Sequence, residues 1–98
     1  MAKALVVYAS KYGATRSIAD RIAERLQSHG VDVDVHAADA GTDPSSYDVI
    51  VVGSGLYMFR WLGTAVRYIK RHHRQLASKR LWLFSSGPTT QKDLEEMR

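Results

Sequence analysis

The hydrophobic pattern along the chain predicts four β-strands. Residues 4–8, 49–52 and 81–84 are short, continuous apolar runs, which are typical of strands buried on both faces of a parallel sheet. Residues 31–36 instead alternate valine with aspartate or histidine, the period of a strand with one buried face and one wet face. We therefore expect three buried strands and, at residues 31–36, an edge strand.

Two longer segments between these strands have helical spacing. Residues 15–29 and 62–76 carry core-facing positions three or four residues apart, and Gly30 follows the first segment, where a left-handed residue commonly ends a helix. These positions are Ile18, Ala19, Ile22, Ala23 and Leu26 in the first segment, and Leu62, Val66, Ile69, His73 and Leu76 in the second. Residues 39–48, which include Pro44, leave room for at most a short helical turn.

This order of elements predicts one α/β domain over residues 1–98. The predicted order is strand, helix, strand, strand, helix, strand. Such an order implies a parallel sheet with right-handed crossovers and helices on both faces. Ligands of such sheets bind beyond the carboxyl ends of the strands, where the strand order reverses. Three glycine-containing loops follow the buried strands, at residues 10–15, 54–61 and 85–90, and we expect them to converge at that edge.

The first of these loops reads SKYGAT and runs directly from a strand into a helix. Backbone N–H groups at a helix start and the positive end of the helix dipole favour an anion, and Gly13 permits close approach of the backbone to it. Ser10 and Thr15 add hydroxyl donors. The same residue types also make a simple helix cap and turn, so the loop alone leaves both interpretations open.

Several competing motifs are absent from the sequence. There is no GxxxxGK run of a Walker A loop, and the first loop has one glycine where a GxGxxG dinucleotide fingerprint needs three. Val52 stands where a GxSxG nucleophile elbow around Ser54 would need glycine. The adjacent His72 and His73 lack the spacing of metal ligands, so we predict no metal site and interpret both as structural.

Composition narrows the class of protein further. The 98 residues are 45% hydrophobic and 24% charged, which is a globular composition. There is no cysteine, and therefore no disulfide, zinc thiolate or thiol catalysis. The start of the chain lacks the features of a signal peptide, and no apolar run approaches the length of a membrane span. We expect a cytoplasmic protein.

The formal net charge of +4 is unevenly distributed. Residues 49–92 contain eight Lys or Arg and no Asp or Glu, and most of this charge lies between Arg60 and Arg80. A solvated face of the second helix is the simplest interpretation, and attraction of an acidic small molecule or redox partner is another. Charge patterning alone is weak support for nucleic-acid binding, which we consider the less favoured reading.

Three runs resemble a known family: VVYASKYGATRSIADRIAERL, VVGSGLYMFRWLGTAVRYIKRH and LWLFSSGP. They resemble flavodoxin-like FMN-binding domains, particularly the flavodoxin-type protoporphyrinogen dehydrogenases. The resemblance implies a three-layer flavodoxin-like fold with strand order 2-1-3-4 and FMN as the cofactor. The implied FMN-binding residues are Ser10, Lys11, Tyr12, Gly13, Ala14 and Thr15 at the phosphate, and Ser54, Gly55, Leu56, Tyr57, Met58, Ser85, Ser86 and Gly87 beside the isoalloxazine ring.

The resemblance implies a redox protein, and oxidation of a porphyrinogen or electron transfer to a quinone are its candidate reactions. The basic helix would attract the propionates of a porphyrinogen. No side chain is predicted to be catalytic, because the flavin carries the redox chemistry. Tyr57 and Trp61 are the aromatic residues placed to stack on a flavin, with packing in the core as the alternative for both, whereas Trp82 is interpreted as part of the core.

The chain ends shortly after its fourth strand, whereas flavodoxin-like domains normally have five. Residues 81–84 are then expected at an unpaired sheet edge, and unpaired apolar edges promote association. We therefore expect a homo-oligomer that forms through this strand. The alternative to a flavin protein is a truncated, non-catalytic module that acts in protein association through its basic helix.

Overall fold

The computed structural model describes residues 2–10, 13–57 and 60–86. Within these ranges, strands and helices alternate along most of the chain. The elements are β1 (Lys3–Ala9), α1 (Ala14–Ser28), β2 (Asp32–Ala37), two 3-10 helices (Ala38–Ala40 and Pro44–Ser46), β3 (Val49–Tyr57), β4 (Arg60–Trp61), α2 (Gly63–Arg71), α3 (His73–Ala77) and β5 (Arg80–Ser86).

The four long strands form a parallel sheet in the order β2, β1, β3, β5. Counted along the chain, this is the predicted order 2-1-3-4. The two-residue strand β4 is an addition that pairs antiparallel with the end of β3, with Trp61 opposite Leu56. The predicted α/β fold class is therefore confirmed, and β4 is a small hairpin that the sequence pattern did not indicate.

Strand β1 supplies side chains to the cores on both faces of the sheet. Leu5 and Val7 pack in the cluster that α2 and α3 cover, whereas Ala4 and Val6 pack in the cluster that α1 covers. None of these four side chains is more than 1% exposed. Burial on both faces explains the continuous apolar run, because alternate residues of a strand point to opposite faces.

Helix α1 and strand β2 match their predicted positions. Ala19 and Ala23 form the buried stripe of α1, and their small side chains let the helix lie close to the sheet. Strand β2 lies at one edge of the sheet, next to β1, and there Val33 is buried and Asp32 is exposed. The alternating pattern thus correctly predicted an edge strand with one wet face.

The prediction that the second buried strand ends at Gly53 and is followed by a loop over residues 54–61 was wrong. Strand β3 continues to Tyr57, and β4 follows it. The reason is that both neighbouring strands continue as well, since β1 pairs as far as Ser54 and β5 as far as Gly55. The hydrogen bonds that β3 forms with strands on both sides outweigh the low strand propensity of its glycines.

The predicted helix over residues 62–76 is divided into α2 and α3 at His72. The backbone of His72 has φ −109° and ψ 17°, outside the α-helical range. The interruption places the imidazole ring of His72 against Tyr68, with the ring centroids 4.6 Å apart. His72 is buried, at 7% exposure.

Strand β5 is less buried than predicted, and the interpretation of Trp82 as a core residue was wrong. Trp82 is 66% exposed and Leu83 56% exposed. The cause is position, because β5 is the last strand of the sheet in the described part of the chain. Phe84 alone among these strand residues packs against the α1 side of the core.

Candidate flavin site

The three sets of residues predicted to bind the cofactor begin at the same edge of the sheet. Ala9 of β1 lies opposite Ser54 of β3, and Ser54 lies opposite Ser85 of β5. The parallel register therefore brings the ends of all three strands to one level. Lys11, Tyr12, Met58 and Gly87, which the sequence also places in this site, lie outside the described residues.

Gly13 forms the turn from β1 into α1. It is the N-cap of the helix and has φ +87°, a left-handed conformation that glycine adopts without steric cost. A glycine has no side-chain oxygen with which to cap the helix, and a Cβ atom added here would meet no atom of the described residues within 4 Å. Among the described residues, the space beside Gly13 at the start of α1 is therefore unfilled.

Ser10 takes part in the same turn. Its hydroxyl oxygen accepts a hydrogen bond from the N–H of Gly13 at 2.8 Å. This contact belongs to the capping interpretation of the loop, since it satisfies one backbone donor within the protein. A serine hydroxyl that accepts one hydrogen bond still has its own proton to donate, so Ser10 both shapes the turn and offers a donor at its surface.

Thr15 and Gly55 bring the first loop against the end of β3. Thr15 lies in the first turn of α1 and is only 2% exposed. A Cβ atom at Gly55 would lie 3.1 Å from the hydroxyl oxygen of Thr15 and 3.7 Å from the carbonyl oxygen of Ala9. The absence of a side chain at Gly55 thus allows the close contact between two of the predicted residue sets.

Ser54 has a structural role that the sequence did not indicate. Its side chain is fully buried, donates a hydrogen bond to the carbonyl oxygen of Gly55 at 2.7 Å and accepts one from the N–H of Leu62 at 2.9 Å. Leu62 is the N-cap of α2, so these bonds join the end of β3 to the start of that helix. Contact between this hydroxyl and a cofactor stays a prediction.

The remaining predicted residues differ in their exposure. Gly55 and Leu56 are half-buried at the end of β3, and Ser85 is exposed at the end of β5. Trp61 is partly buried and packs against the core cluster on the α2 side of the sheet. The backbone of Tyr57 continues β3, while its stacking on a flavin stays a prediction.

Two cavities lie outside this set of residues. One, of about 300 Å³, is lined by α1, β3 and β5, including Leu26, Val51 and Trp82. The other, of about 490 Å³, lies between the segment after β2 and helix α2. The cluster of basic residues was the only sequence signal for the second cavity, and nothing in the pattern indicated that Ala38, Asp39 and Gly41 would line it.

No helix among the described residues is long and apolar enough to cross a bilayer. They also contain no group of three or more His, Asp or Glu side chains arranged to hold a metal ion.

Solved structures that are similar to this chain include several flavodoxins. Two-electron reduced Megasphaera elsdenii flavodoxin has a TM-score of 0.78 and 22% identity, over 96% of this chain and 72% of its own. Oxidised Flavodoxin 2 from Bacillus cereus has a TM-score of 0.67 and 29% identity, over 88% of this chain and 62% of its own. Fusobacterium nucleatum flavodoxin bound to flavin mononucleotide has a TM-score of 0.73 and 17% identity, over 89% of this chain and 53% of its own.

The chain spans less than two thirds of the length of the last two of these proteins. A search of curated proteins gave no match. Residues 5–98 match the family model for the flavodoxin domain, and the protoporphyrinogen dehydrogenase branch is not singled out by these comparisons. With the predicted sheet order, the converging strand ends and this match over nearly the whole sequence, the chain belongs to the flavodoxin domain family, whose cofactor is FMN.

Proposed function

We propose that this chain binds FMN at the carboxyl edge of its sheet and takes part in electron transfer. The observation that carries the proposal is the open turn at Gly13, which lies directly beyond β1 and leads into a 15-residue helix. An anion at the start of such a helix is favoured by the backbone N–H groups and by the helix dipole. The phosphate of FMN is an anion of this kind.

The residues at this edge fit the parts of FMN. The Gly13 turn and the hydroxyl of Ser10 would hold the phosphate, with the buried Thr15 fixing the loop against Gly55. Gly55, Leu56 and Ser85, at the ends of β3 and β5, would lie beside the isoalloxazine ring. When bound, the flavin supplies one-electron or two-electron transfer, and the protein contributes position and electrostatics.

For the reaction we propose either oxidation of an acidic substrate, a porphyrinogen that carries propionates, or transfer of electrons to a quinone. Arg67, Lys70 and Arg71 lie on α2, which carries basic residues in its last turn and no acidic residue in its first. A positively charged helix raises the local concentration of molecules that bear carboxylates. The predicted cytoplasmic location belongs to the same proposal.

A titration with FMN and with riboflavin tests the proposed site. Riboflavin has the same ring system and lacks the phosphate, so it is a matched control for the contacts at Gly13. We expect FMN to bind at least about tenfold more tightly, because hydrogen bonds to a charged group contribute about 1.5–3 kcal/mol each. Quenching of flavin fluorescence measures both affinities.

Equal affinities for the two flavins would contradict the phosphate site. Failure of both to bind would favour the alternative, a non-catalytic module that acts in protein association.

One observation supports association in addition to flavin binding: the apolar strand β5 lies at the sheet edge with Trp82 and Leu83 exposed. We propose that two copies of the chain associate through β5, since exposed apolar edge strands pair with other chains.

A further inference from the structure

The cavity of about 490 Å³ beside α2 has the volume of a site for a small organic molecule. One wall is the segment after β2, including Ala38 and Asp39, and the other wall is one face of α2. The second wall contains Thr64, Arg67, Tyr68 and Arg71, whose spacing places them on one side of the helix.

The charges on the cavity wall favour an anion. Arg67, Lys70 and Arg71 contribute three positive charges and Asp39 one negative charge, so three minus one leaves two positive charges among these four side chains. Arginine binds carboxylate and phosphate groups with paired hydrogen bonds in a planar geometry. A ligand with two negative charges would therefore neutralise the net positive charge of these four side chains.

His72 adds a buried polar side chain to the wall of this cavity. It is only 7% exposed, and its Nε2 atom is buried without a hydrogen-bond partner among the residues that the structure describes. A buried polar atom without a partner is destabilising by about 1–3 kcal/mol. An oxygen atom of a ligand in the cavity would provide the missing partner.

The aromatic ring beside His72 is held in place. Tyr68 is buried, and its hydroxyl donates a hydrogen bond to the carbonyl oxygen of Thr42 at 2.7 Å. The rings of Tyr68 and His72 are in contact at an interplanar angle of 48°. The floor of the cavity is therefore fixed before any ligand enters, which reduces the entropy lost on binding.

We propose that this cavity binds a small organic dianion bearing carboxylate or phosphate groups. Arg67, Lys70 and Arg71 hold its acidic groups, and Nε2 of His72 forms a hydrogen bond with one of its oxygen atoms. None of the proposed FMN residues that the structure describes lines the cavity. The inference rests on the substrate part of the proposed function, which assigns the same three basic residues to an acidic molecule, and goes beyond it by naming the cavity; titrations with FMN and with a dianion test the two proposals separately.

Isothermal titration calorimetry of the 98-residue chain tests the proposal with two probes. Succinate and phenyl phosphate are both dianions at about pH 8 and represent the carboxylate and the phosphate source. Succinamide, with the same carbon skeleton and no charge, is the control ligand. We expect saturable binding of at least one dianion and none of succinamide.

Two variants separate a built site from general attraction to positive charge. Arg67→Gln combined with Arg71→Gln removes two charges from the cavity, and we expect about tenfold or greater weakening of dianion binding. Arg74→Gln removes one exposed charge of α3, which is not part of the cavity wall, and is expected to leave the affinity unchanged. The double variant should bind FMN as the unmodified chain does, so failure of the two sites can be told apart.

The contribution of His72 is tested by nitrogen NMR. Adding the dianion that binds should move the Nε2 resonance of His72 while the fold, followed by the backbone amide spectrum, is retained. His72→Phe keeps an aromatic ring beside Tyr68 and should weaken binding of the same probe. Absence of saturable binding by both dianions, or equal weakening by Arg74→Gln and the double variant, would overturn the proposal.

Discussion

Gly13 and Gly30 lie at the two ends of α1 and share one backbone property. Their φ angles are +87° and +82°, and a Cβ atom at either position would meet no atom of the described part of the chain within 4 Å. Alanine at either position adds the strain of a left-handed residue, about 1–2 kcal/mol. We predict that Gly13→Ala and Gly30→Ala lower the free energy of unfolding by similar amounts, measured by urea denaturation of the apo protein.

The two variants should differ in FMN affinity. Gly13→Ala introduces a side chain where the backbone is proposed to approach the phosphate, whereas Gly30 lies at the opposite end of the helix. We expect weaker FMN binding for Gly13→Ala only. The same FMN affinity in both variants would place the phosphate elsewhere.

Tyr47 and Tyr68 connect buried hydroxyl groups to the alkaline stability of the protein. Burial raises the pKa of Tyr68 to about 12, with a further contribution from the charge of Asp43. Burial also raises the pKa of Tyr47 to about 12, together with its 2.7 Å hydrogen bond to Asp34. Both folded-state pKa values exceed the ordinary value of 10.0, so the folded state holds these protons more tightly than the unfolded state.

The sign of the pH dependence follows from this difference. The stabilisation is fully present below pH 10.0 and is lost as the pH rises towards about 12. We predict that the free energy of unfolding falls over this range and that Tyr47→Phe and Tyr68→Phe each make the fall shallower. Thermal or urea unfolding at a series of alkaline pH values measures the slope. A slope that neither substitution changes would assign the loss to other groups.

At the scale of elements, local pattern predicted the strands and helices but not all of their ends. The apolar runs and the helical stripe of α1 depend on burial that repeats with a fixed period, and so they are visible in the sequence. The extension of β3 through Gly53, Ser54 and Gly55 depends on hydrogen bonds from β1 and β5, which are distant in sequence. Local propensity cannot show such bonds, and the hairpin with β4 was missed for the same reason.

Packing between β3 and β5 gives a prediction at this scale. A Cβ atom at Gly53 would overlap the ring of Phe84 on the neighbouring strand. We predict that Gly53→Ala destabilises the protein by about 1–3 kcal/mol, the range for an overpacked core. In a chain with Phe84→Leu, the same substitution should be far less destabilising. A double-mutant cycle measured by urea denaturation gives the coupling energy, and additive effects would show that the ring does not limit this position.

At the scale of the whole molecule, the order of elements correctly predicted that the carboxyl ends of β1, β3 and β5 lie at one edge of the sheet, although residues 54–57 extend β3 instead of forming a loop. Parallel strands with crossover helices always bring their carboxyl ends to one edge, so this part of the site needs no side-chain detail. The cavity beside α2 was not predicted. It joins Asp39 to Arg71 across a crossover, and its shape depends on how the segment after β2 folds back. The sequence analysis identified the basic residues of α2, but it did not predict that the segment after β2 forms the opposite wall of the cavity.

The exposure of β5 shows a second limit of local pattern. The run over residues 81–84 is as apolar as a central strand, yet Leu81, Trp82 and Leu83 are all exposed. The sequence pattern and the structure agree if these side chains are buried by another copy of the chain. An edge-to-edge pair related by a two-fold axis would continue the sheet through both molecules and cover each Trp82.

We predict that the chain forms a dimer with twice its mass of 11.0 kDa, and that Leu83→Lys converts it to a monomer. A lysine on an edge strand opposes pairing because its charge would be buried in the interface. Light scattering over a range of concentrations measures the mass. The chain has two tryptophans, so Trp61→Phe leaves Trp82 as the only fluorescent indole. Its emission should shift to shorter wavelength as the concentration rises, and Leu83→Lys should abolish that shift. A concentration-independent monomer with an unchanged Trp82 spectrum would show that β5 does not pair with a second copy.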